Sequence, residues 1–401
     1  MGTRTDKSVS PAGKVGLVVA VAVGLNAMIG AGIVAIPAFL SHEAGPAGTI
    51  SFILSILIVL CMGLSLATLE ILHPTEAWSY TYPSSWGGHR LGILSSSFYL
   101  IGVTVAMGFL VQQAGVWFQH LIPMEDQRLL GLLVFAALVL LVLAGAVISS
   151  WGQYLIAIVV VGSLLATSSV CFSHWDSKLL SPFAPHGLSG ILAATPKAMF
   201  SLLGFESVVS LFSIVKDPHK NVPKACVLSV LVVGGLYLIF ASSVLVSIPP
   251  FFFEKGAEET LSSVLGRAFP EHVYLSFFLW LGGLFGILGT LHSMIWSSGL
   301  LFVNVLRKVR AKPFCSFFKK NLPHEKMCLL LSSALIATVA LNLSSSLILD
   351  LAVFLIAAAQ VLSIMALLFE RSLWRTGRNF LTLMAIAGGA VFMYYSLKPW
   401  F

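Results

Sequence analysis

Charged residues are scarce in this 401-residue sequence, which has 23 Lys and Arg and 16 Asp and Glu, together 10% of the chain. Soluble domains carry about 25% charged residues. Hydrophobic residues make up 58% of the sequence, which is more than a water-soluble core can bury. The composition therefore excludes a soluble enzyme or a nucleic-acid-binding module and predicts an integral membrane protein.

Cysteine is also rare, and the five cysteines are scattered without a C-x-x-C pair. The ten histidines show no H-E-x-x-H or related ligand spacing, so the sequence predicts no metal site of that kind. A G-x-x-x-x-G-K-[ST] loop is missing as well, which excludes ATP hydrolysis of the P-loop type. Without a metal or nucleophile constellation, we expect neither a membrane enzyme nor a cofactor.

Long apolar stretches fill most of the chain and are bounded by Pro, Gly or charged residues. A membrane-spanning helix needs about 20 apolar residues, and eleven stretches approach or exceed this length. They cover residues 15–41, 47–72, 91–121, 129–149, 153–173, 192–215, 225–248, 273–306, 327–343, 347–369 and 380–396. The Ser149-Ser150-Trp151-Gly152 sequence predicts a turn that separates the fourth helix from the fifth.

The distribution of Lys and Arg predicts the orientation in the membrane. If the N-terminus is cytoplasmic and the eleven helices alternate, 17 of the 23 Lys and Arg lie on the cytoplasmic side. Six, among them Lys178 and Lys197, lie outside. Cytoplasmic loops of membrane proteins are enriched in positive charge. We therefore expect a cytoplasmic N-terminus and an extracytoplasmic C-terminus, in the plasma (inner) membrane.

Two of the stretches contain residues that interrupt a helix near the bilayer centre. Gly30, Gly32 and Pro37 interrupt the first stretch, and the sixth is centred near Gly204, beside Glu206. Helices 1–5 and 6–10 form two units, and the odd number of helices in each places the units in opposite orientations. Interrupted helices at corresponding positions of inverted halves are typical of the binding site of a secondary transporter.

This pattern predicts an all-α polytopic membrane protein built as a 5+5 inverted repeat. The expected segments are a cytoplasmic N-terminus (1–14), the first repeat (15–173), an extracytoplasmic loop (174–191), the second repeat (192–369), and a cytoplasmic connection with an eleventh helix (370–401).

The two interrupted helices contain the segments GLNAMIGAGIVAIP (24–37) and FSLLGFESVVSLFSIVKDPHKNVPKA (200–225). The first resembles the helix 1 signature of the amino acid-polyamine-organocation (APC) permeases, and the second resembles their helix 6 and the loop after it. The segments EILHPTEAWSYTY (70–82) and FAPHGLSGI (183–191) are also similar to that family. The resemblance implies the LeuT-type fold and a substrate that is an amino acid or a close derivative.

The resemblance also implies a substrate site between helices 1 and 6. The backbone N–H groups of Gly30, Ala31 and Gly32 are expected to bind the carboxylate of an amino acid, assisted by the dipole of the following half-helix. Glycine suits this role because it lets the backbone approach a ligand closely. The alternative is that these small residues serve close helix packing.

The remaining residues implied for the site are carbonyl groups and aromatic walls. The carbonyls of Met28, Phe200 and Leu203 are expected to bind the α-ammonium group. The Phe200 ring is expected to cover the substrate, with a lipid-facing or core position as the alternative. Tyr99 in helix 3 and Trp296 in helix 8 are expected to form walls, with packing as the alternative for Trp296.

Glu206 is the carboxylate nearest the middle of a predicted helix, and ionisable groups at that depth are usually functional. We expect it to take part in proton-dependent gating, with a structural role beside the interruption as the alternative. The alternative to coupling through Glu206 is a sodium site formed by helix 1 carbonyls and the hydroxyls of Ser297 and Ser298. His292 and Gln360 either line a cavity or form bonds between helices.

The predicted function is secondary active transport of amino acids by alternating access at a site near the bilayer midplane. The alternatives are an exchanger (antiporter) or exporter of amino acids or amines, and an amino-acid sensor that does not transport. The expected partners are the small-molecule substrate and membrane lipid, with the coupling ion or counter-substrate open and no nucleic acid.

Overall fold

The fold of this chain is helical. The computed structural model describes residues 15–30, 32–119, 121–122, 126–253, 261–309, 324–342, 346–370 and 379–397. Within these residues, β-type pairing is limited to one bridge between Val15 and Val215. The α-helices are α1 (Leu17–Met28), α2 (Gly32–Ala44), α3 (Gly48–Leu72), α4 (Trp78–Phe118), α5 (Gln127–Leu143), α6 (Ala146–Ser173), α7 (Gly187–Phe200), α8 (Pro218–Leu245), α9 (Leu261–Ala268), α10 (Val273–Val309), α11 (His324–Asn342), α12 (Ser346–Ile364) and α13 (Asn379–Leu397). A 3-10 helix, Phe205–Ile214, follows α7.

Helices occupy every apolar stretch that the sequence predicts. Seven helical segments of the described chain are long and apolar enough to cross a membrane. Four shorter apolar helices accompany them, comprising α1, α5, most of α11 and most of α13. The all-helical architecture is thereby confirmed, and the number of helices that cross the membrane stays a prediction.

Two predicted helix boundaries are wrong. The Ser149–Gly152 sequence lies within α6, and the turn between α5 and α6 is made by Gly145, whose φ is 110°. Glycine adopts this conformation without the steric cost of a Cβ. α4 begins at Trp78 rather than at residue 91 and bends at Gly88, where φ is 77°. Hydropathy misses this first part of α4 because it is polar although it is helical.

The two interrupted helices, which are the first and the sixth of the predicted topology, run antiparallel. Before α1, the Val15 N–H donates to the Ile214 carbonyl at 2.8 Å, and the Lys216 N–H donates to the Val15 carbonyl at 2.8 Å. After α2, the Ala47 N–H donates to the Phe183 carbonyl at 2.9 Å, shortly before α7. The start of one helix therefore lies beside the end of the other, as an inverted repeat requires.

Helix pairs that pack across the two repeats are related by a shift of five helices in the predicted topology. α4 packs on α12 as α10 packs on α6, and α1 packs on α8 as α7 packs on α3. Every residue from Ala22 to Ile29 and from Phe205 to Leu211 is buried. The two interrupted helices therefore occupy the interior of the bundle, where their exposed backbone groups are shielded from lipid.

Candidate functional site

The first helix is interrupted between α1 and α2. Ile29 and Gly30 leave helical geometry, and Ala31, which the sequence adds to the site, lies outside the described residues. The Gly30 N–H donates to the Met28 carbonyl at 3.0 Å, and the Tyr237 hydroxyl of α8 donates to the same oxygen at 3.3 Å. Since a carbonyl oxygen has two lone pairs, a substrate ammonium bound at Met28 has to replace or share one of these donors.

The start of α2 offers hydrogen-bond donors to an anion. Its first N–H groups have no partner within the helix, and the helix dipole favours negative charge there. A Cβ on Gly32 would lie 3.9 Å from the Ser201 Cβ, which is ordinary van der Waals contact, so packing does not require glycine at this position. A Cβ on Gly30 would lie 3.2 Å from Thr290 Oγ1, so close helix packing is a stronger explanation there.

The sixth helix is interrupted directly beside the first. α7 ends at Phe200, and Gly204 adopts a φ of 113° before the 3-10 helix. The Leu203 N–H donates to the Phe200 carbonyl at 3.2 Å. A Cβ on Gly204 would lie 2.6 Å from the Ala27 carbonyl oxygen. The backbones of the two interruptions are therefore in direct contact, and only glycine permits this approach.

Glu206 is fully buried at the start of the 3-10 helix. Its Oε2 accepts the Gly204 N–H at 3.0 Å, and its Oε1 accepts the Tyr99 hydroxyl of α4 at 3.2 Å. Trp78 packs edge-on against the Tyr99 ring, with 4.7 Å between the ring centres. The buried amide of Gln360 in α12 faces the same carboxyl. Glu206 therefore joins the interruption in the sixth helix to α4.

The residues predicted on helix 8 lie in α10, where Trp296, Ser297 and Ser298 are buried. The Ser298 hydroxyl donates to a carbonyl of its own helix at 2.5 Å. The hydroxyl of Thr290, about two turns earlier, reaches the first helix and donates to the Asn26 carbonyl at 2.9 Å. The sodium site at Ser297 and Ser298 stays a prediction.

A buried polar network lies next to the first interruption. Of its members the sequence indicated His292, as a residue that lines a cavity or forms bonds between helices, and missed Asn26, Gln153 and Ser293. Asn26 donates through Nδ2 to the backbone and side-chain oxygens of Gln153 in α6, and Ser293 donates to Gln153 Oε1 at 3.1 Å. Gln153 Nε2 lies 3.2 Å from His292 Nδ1. Since an amide nitrogen only donates, Nδ1 accepts, and His292 Nε2 donates to Ser149 Oγ at 2.7 Å. The network joins α1, α6 and α10.

Two further side chains near the interruptions were not predicted. Tyr237, which holds the Met28 carbonyl, is a polar residue within an apolar stretch. Lys197, which the sequence assigns to an outer connection, lies in the last turn of α7 with its Nζ 3.5 Å from the centre of the Phe39 ring. The signal for both was the depth of a polar group in the membrane, where such groups are usually functional.

Two interrupted helices that touch inside an inverted repeat define the fold of a secondary transporter. The chain belongs to the amino acid permease family, whose sequence profile matches residues 15–397. A Na⁺-coupled sialic acid symporter, solved in a substrate-bound outward-open state, shares the fold with a TM-score of 0.58 over 97% of this chain and 91% of that one, at 11% sequence identity. This likeness confirms the predicted LeuT-type fold.

Two relatives show which proteins this chain is similar to. The aspartate-proton symporter of Bacillus subtilis is 28% identical over 256 residues, which are 58% of this chain and 48% of the symporter. The branched-chain amino acid permease BcaP of the same organism is 24% identical over 280 residues, which are 61% of this chain and 57% of the permease. The chain spans about half the length of the curated relatives it matches, and both are transporters rather than enzymes.

Proposed function

We propose that this chain is a secondary active transporter that moves amino acids by alternating access at the two helix interruptions. The observation that carries the proposal is the direct contact between Gly204 and Ala27, in the interior of an amino acid permease fold. The start of α2 offers donors for a carboxylate, and the carbonyls at both interruptions offer acceptors for an ammonium group. The two relatives named as transporters of amino acids support this substrate class.

The proposal is tested by ligand binding and by flux. Purified full-length chain is screened against the twenty amino acids by thermal shift, and the ligands that stabilise it are assayed for uptake into proteoliposomes. We expect at least one amino acid both to bind and to be transported. Uptake that needs a preloaded lumen indicates an exchanger, and binding without flux indicates a sensor. If none of the twenty binds or moves, the proposed substrate class is wrong.

The proposed orientation places the connection after α6 outside and the connection before α8 inside. Lys178 and Lys220, one on each side of the sixth helix, are exposed. In a cysteine-free background, we expect Lys178→Cys to react with an impermeant maleimide on intact cells and Lys220→Cys to react only after permeabilisation. If both react on intact cells, or both only after permeabilisation, the orientation is wrong.

Glu206 is proposed to make transport depend on pH. Gln at this position keeps the size of the side chain, accepts the Gly204 N–H through Oε1 and contacts the Tyr99 hydroxyl through Nε2, but it does not titrate. We therefore expect Glu206→Gln to bind substrate and to lose the pH dependence of flux. Initial rates are measured in proteoliposomes at several pH values, with equal pH on both sides.

Tyr99→Phe is the matched control for this experiment, because it removes the hydrogen bond to Oε1 and leaves the carboxyl in place. We expect its pH profile to keep the shape of the wild-type profile. If wild type and Glu206→Gln give superimposable profiles, Glu206 serves to hold the Gly204 N–H, and coupling has to lie elsewhere.

A further inference from the structure

A second polar cluster lies away from the interrupted helices, where α6 ends and α10 begins. His174 directly follows α6, and Glu271 and His272 directly precede α10. One potential ligand atom of each of these three side chains lies within 4.8 Å of the other two. The cluster combines distant parts of the chain, so no local spacing in the sequence indicates it.

The hydrogen bonds of His174 determine which ring nitrogen faces the cluster. Nδ1 lies 3.0 Å from the Val170 carbonyl, and since a carbonyl only accepts, Nδ1 carries a proton. In the neutral ring, Nε2 then has a lone pair, and this atom lies 3.3 Å from Glu271 Oε1. A lone pair that faces a carboxylate is unfavourable unless a cation lies between them, either a proton or a metal ion.

His272 is held in a similar way. Its Nδ1 lies 2.8 Å from the Tyr274 hydroxyl, and its ring packs edge-on against His174 with 5.2 Å between the ring centres. When Nδ1 donates to Tyr274, Nε2 carries the lone pair that a metal ion requires. Histidines that bind metals usually donate their second ring N–H to a neighbouring oxygen. Both histidines of the cluster have such an oxygen partner.

We propose that His174, Glu271 and His272 form a zinc site that joins the end of α6 to the start of α10, on the face predicted to be extracytoplasmic. Zinc binds imidazole nitrogen and carboxylate oxygen tetrahedrally at about 2.0–2.2 Å, which separates ligand atoms by about 3.4 Å. The His174 and Glu271 side chains are 36% and 54% exposed, so small rotations bring the ligands to this spacing. Three protein ligands leave the fourth position to water.

Isothermal titration of the purified full-length chain with ZnCl₂, after removal of any affinity tag, tests the site. We expect one zinc ion per chain and a weakening of about tenfold or more in His174→Ala and in His272→Ala, each of which removes one ligand. Mg²⁺, which prefers oxygen ligands, should not compete. His42→Ala is the matched control, since His42 also faces a glutamate, with 3.6 Å between its Nδ1 and Glu43 Oε1.

Glu271→Gln is a second variant, and it keeps the shape of the side chain. The thermal midpoint of each variant without metal shows whether weaker zinc binding comes from the loss of a ligand or from unfolding. Tetrahedrally bound Co²⁺ absorbs visible light, and this absorption should be reduced in His272→Ala at the same Co²⁺ concentration. If the wild type binds no zinc, or binds it equally well after both histidines are replaced, His174 and Glu271 form a simple ion pair and the zinc site is wrong.

Discussion

Gly204→Ala is expected to abolish transport and to reduce the amount of folded protein. The φ of Gly204 is 113°, and an L-residue with positive φ costs about 1–2 kcal/mol. The new Cβ would lie 2.6 Å from the Ala27 carbonyl oxygen and 2.8 Å from its carbon. Because these are backbone atoms in the centre of the bundle, they cannot rotate aside, and overpacking adds about 1–3 kcal/mol. The two interrupted helices then have to separate.

The thermal midpoint in detergent and flux into proteoliposomes measure this effect. Gly235→Ala in α8 is the matched control, because a Cβ there meets no other atom within 4 Å. Alanine is favoured over glycine in a helix by up to about 1 kcal/mol, so the control should be as stable as the wild type or more stable. A Gly204→Ala protein with the wild-type midpoint and flux would show that the interruptions do not touch.

Gly32→Val is expected to abolish substrate binding while the protein remains folded. Packing leaves room for a Cβ, which would lie 3.9 Å from the Ser201 Cβ, but a branched side chain obstructs the N–H groups offered to a carboxylate. Gly30→Val should abolish binding as well and should also lower stability, because its Cβ would lie 3.2 Å from Thr290 Oγ1. Gly32 therefore separates binding from packing more sharply than Gly30.

The ligand-induced thermal shift of each purified variant measures binding, and the midpoint without ligand measures stability. Gly16→Val before α1 is the control, because a Cβ at Gly16 meets no atom within 4 Å, and we expect it to bind substrate like the wild type. Wild-type affinity in both Gly30→Val and Gly32→Val would show that the substrate carboxylate does not bind at these N–H groups.

Much of the fold could be predicted because its causes are local. A low content of charge and apolar stretches of about 20 residues are sufficient to predict membrane helices. Gly30 and Gly204 were correctly placed at the two interruptions, since glycine weakens a helix. Pro37, which was expected to interrupt the first helix as well, lies within α2. The antiparallel arrangement of the first and sixth helices also follows from the odd number of helices, five, in each repeat.

The boundaries of some helices could not be predicted, because hydropathy measures burial in lipid rather than backbone conformation. Trp78 begins a helix whose first turns are polar, and Gly145 ends one inside a continuous apolar region. The sequence contains several glycines in similar apolar surroundings, and it does not indicate which of them has to remain glycine. A Cβ is excluded at Gly204 but tolerated at Gly32. The reason is the contact of Gly204 with Ala27, a residue far away in the chain.

By itself, the sequence determined the membrane class of this protein, its helices and the positions at which two of them are interrupted, because these depend on hydrophobicity and on the conformational limits of single residues. Only the tertiary structure decided which polar groups meet. The pairing of Glu206 with Tyr99, the Asn26–Gln153 bond and the cluster of His174 with His272 each join separate helices. Such contacts depend on how the helices pack against one another, and the spacing of residues along one helix does not predict that packing.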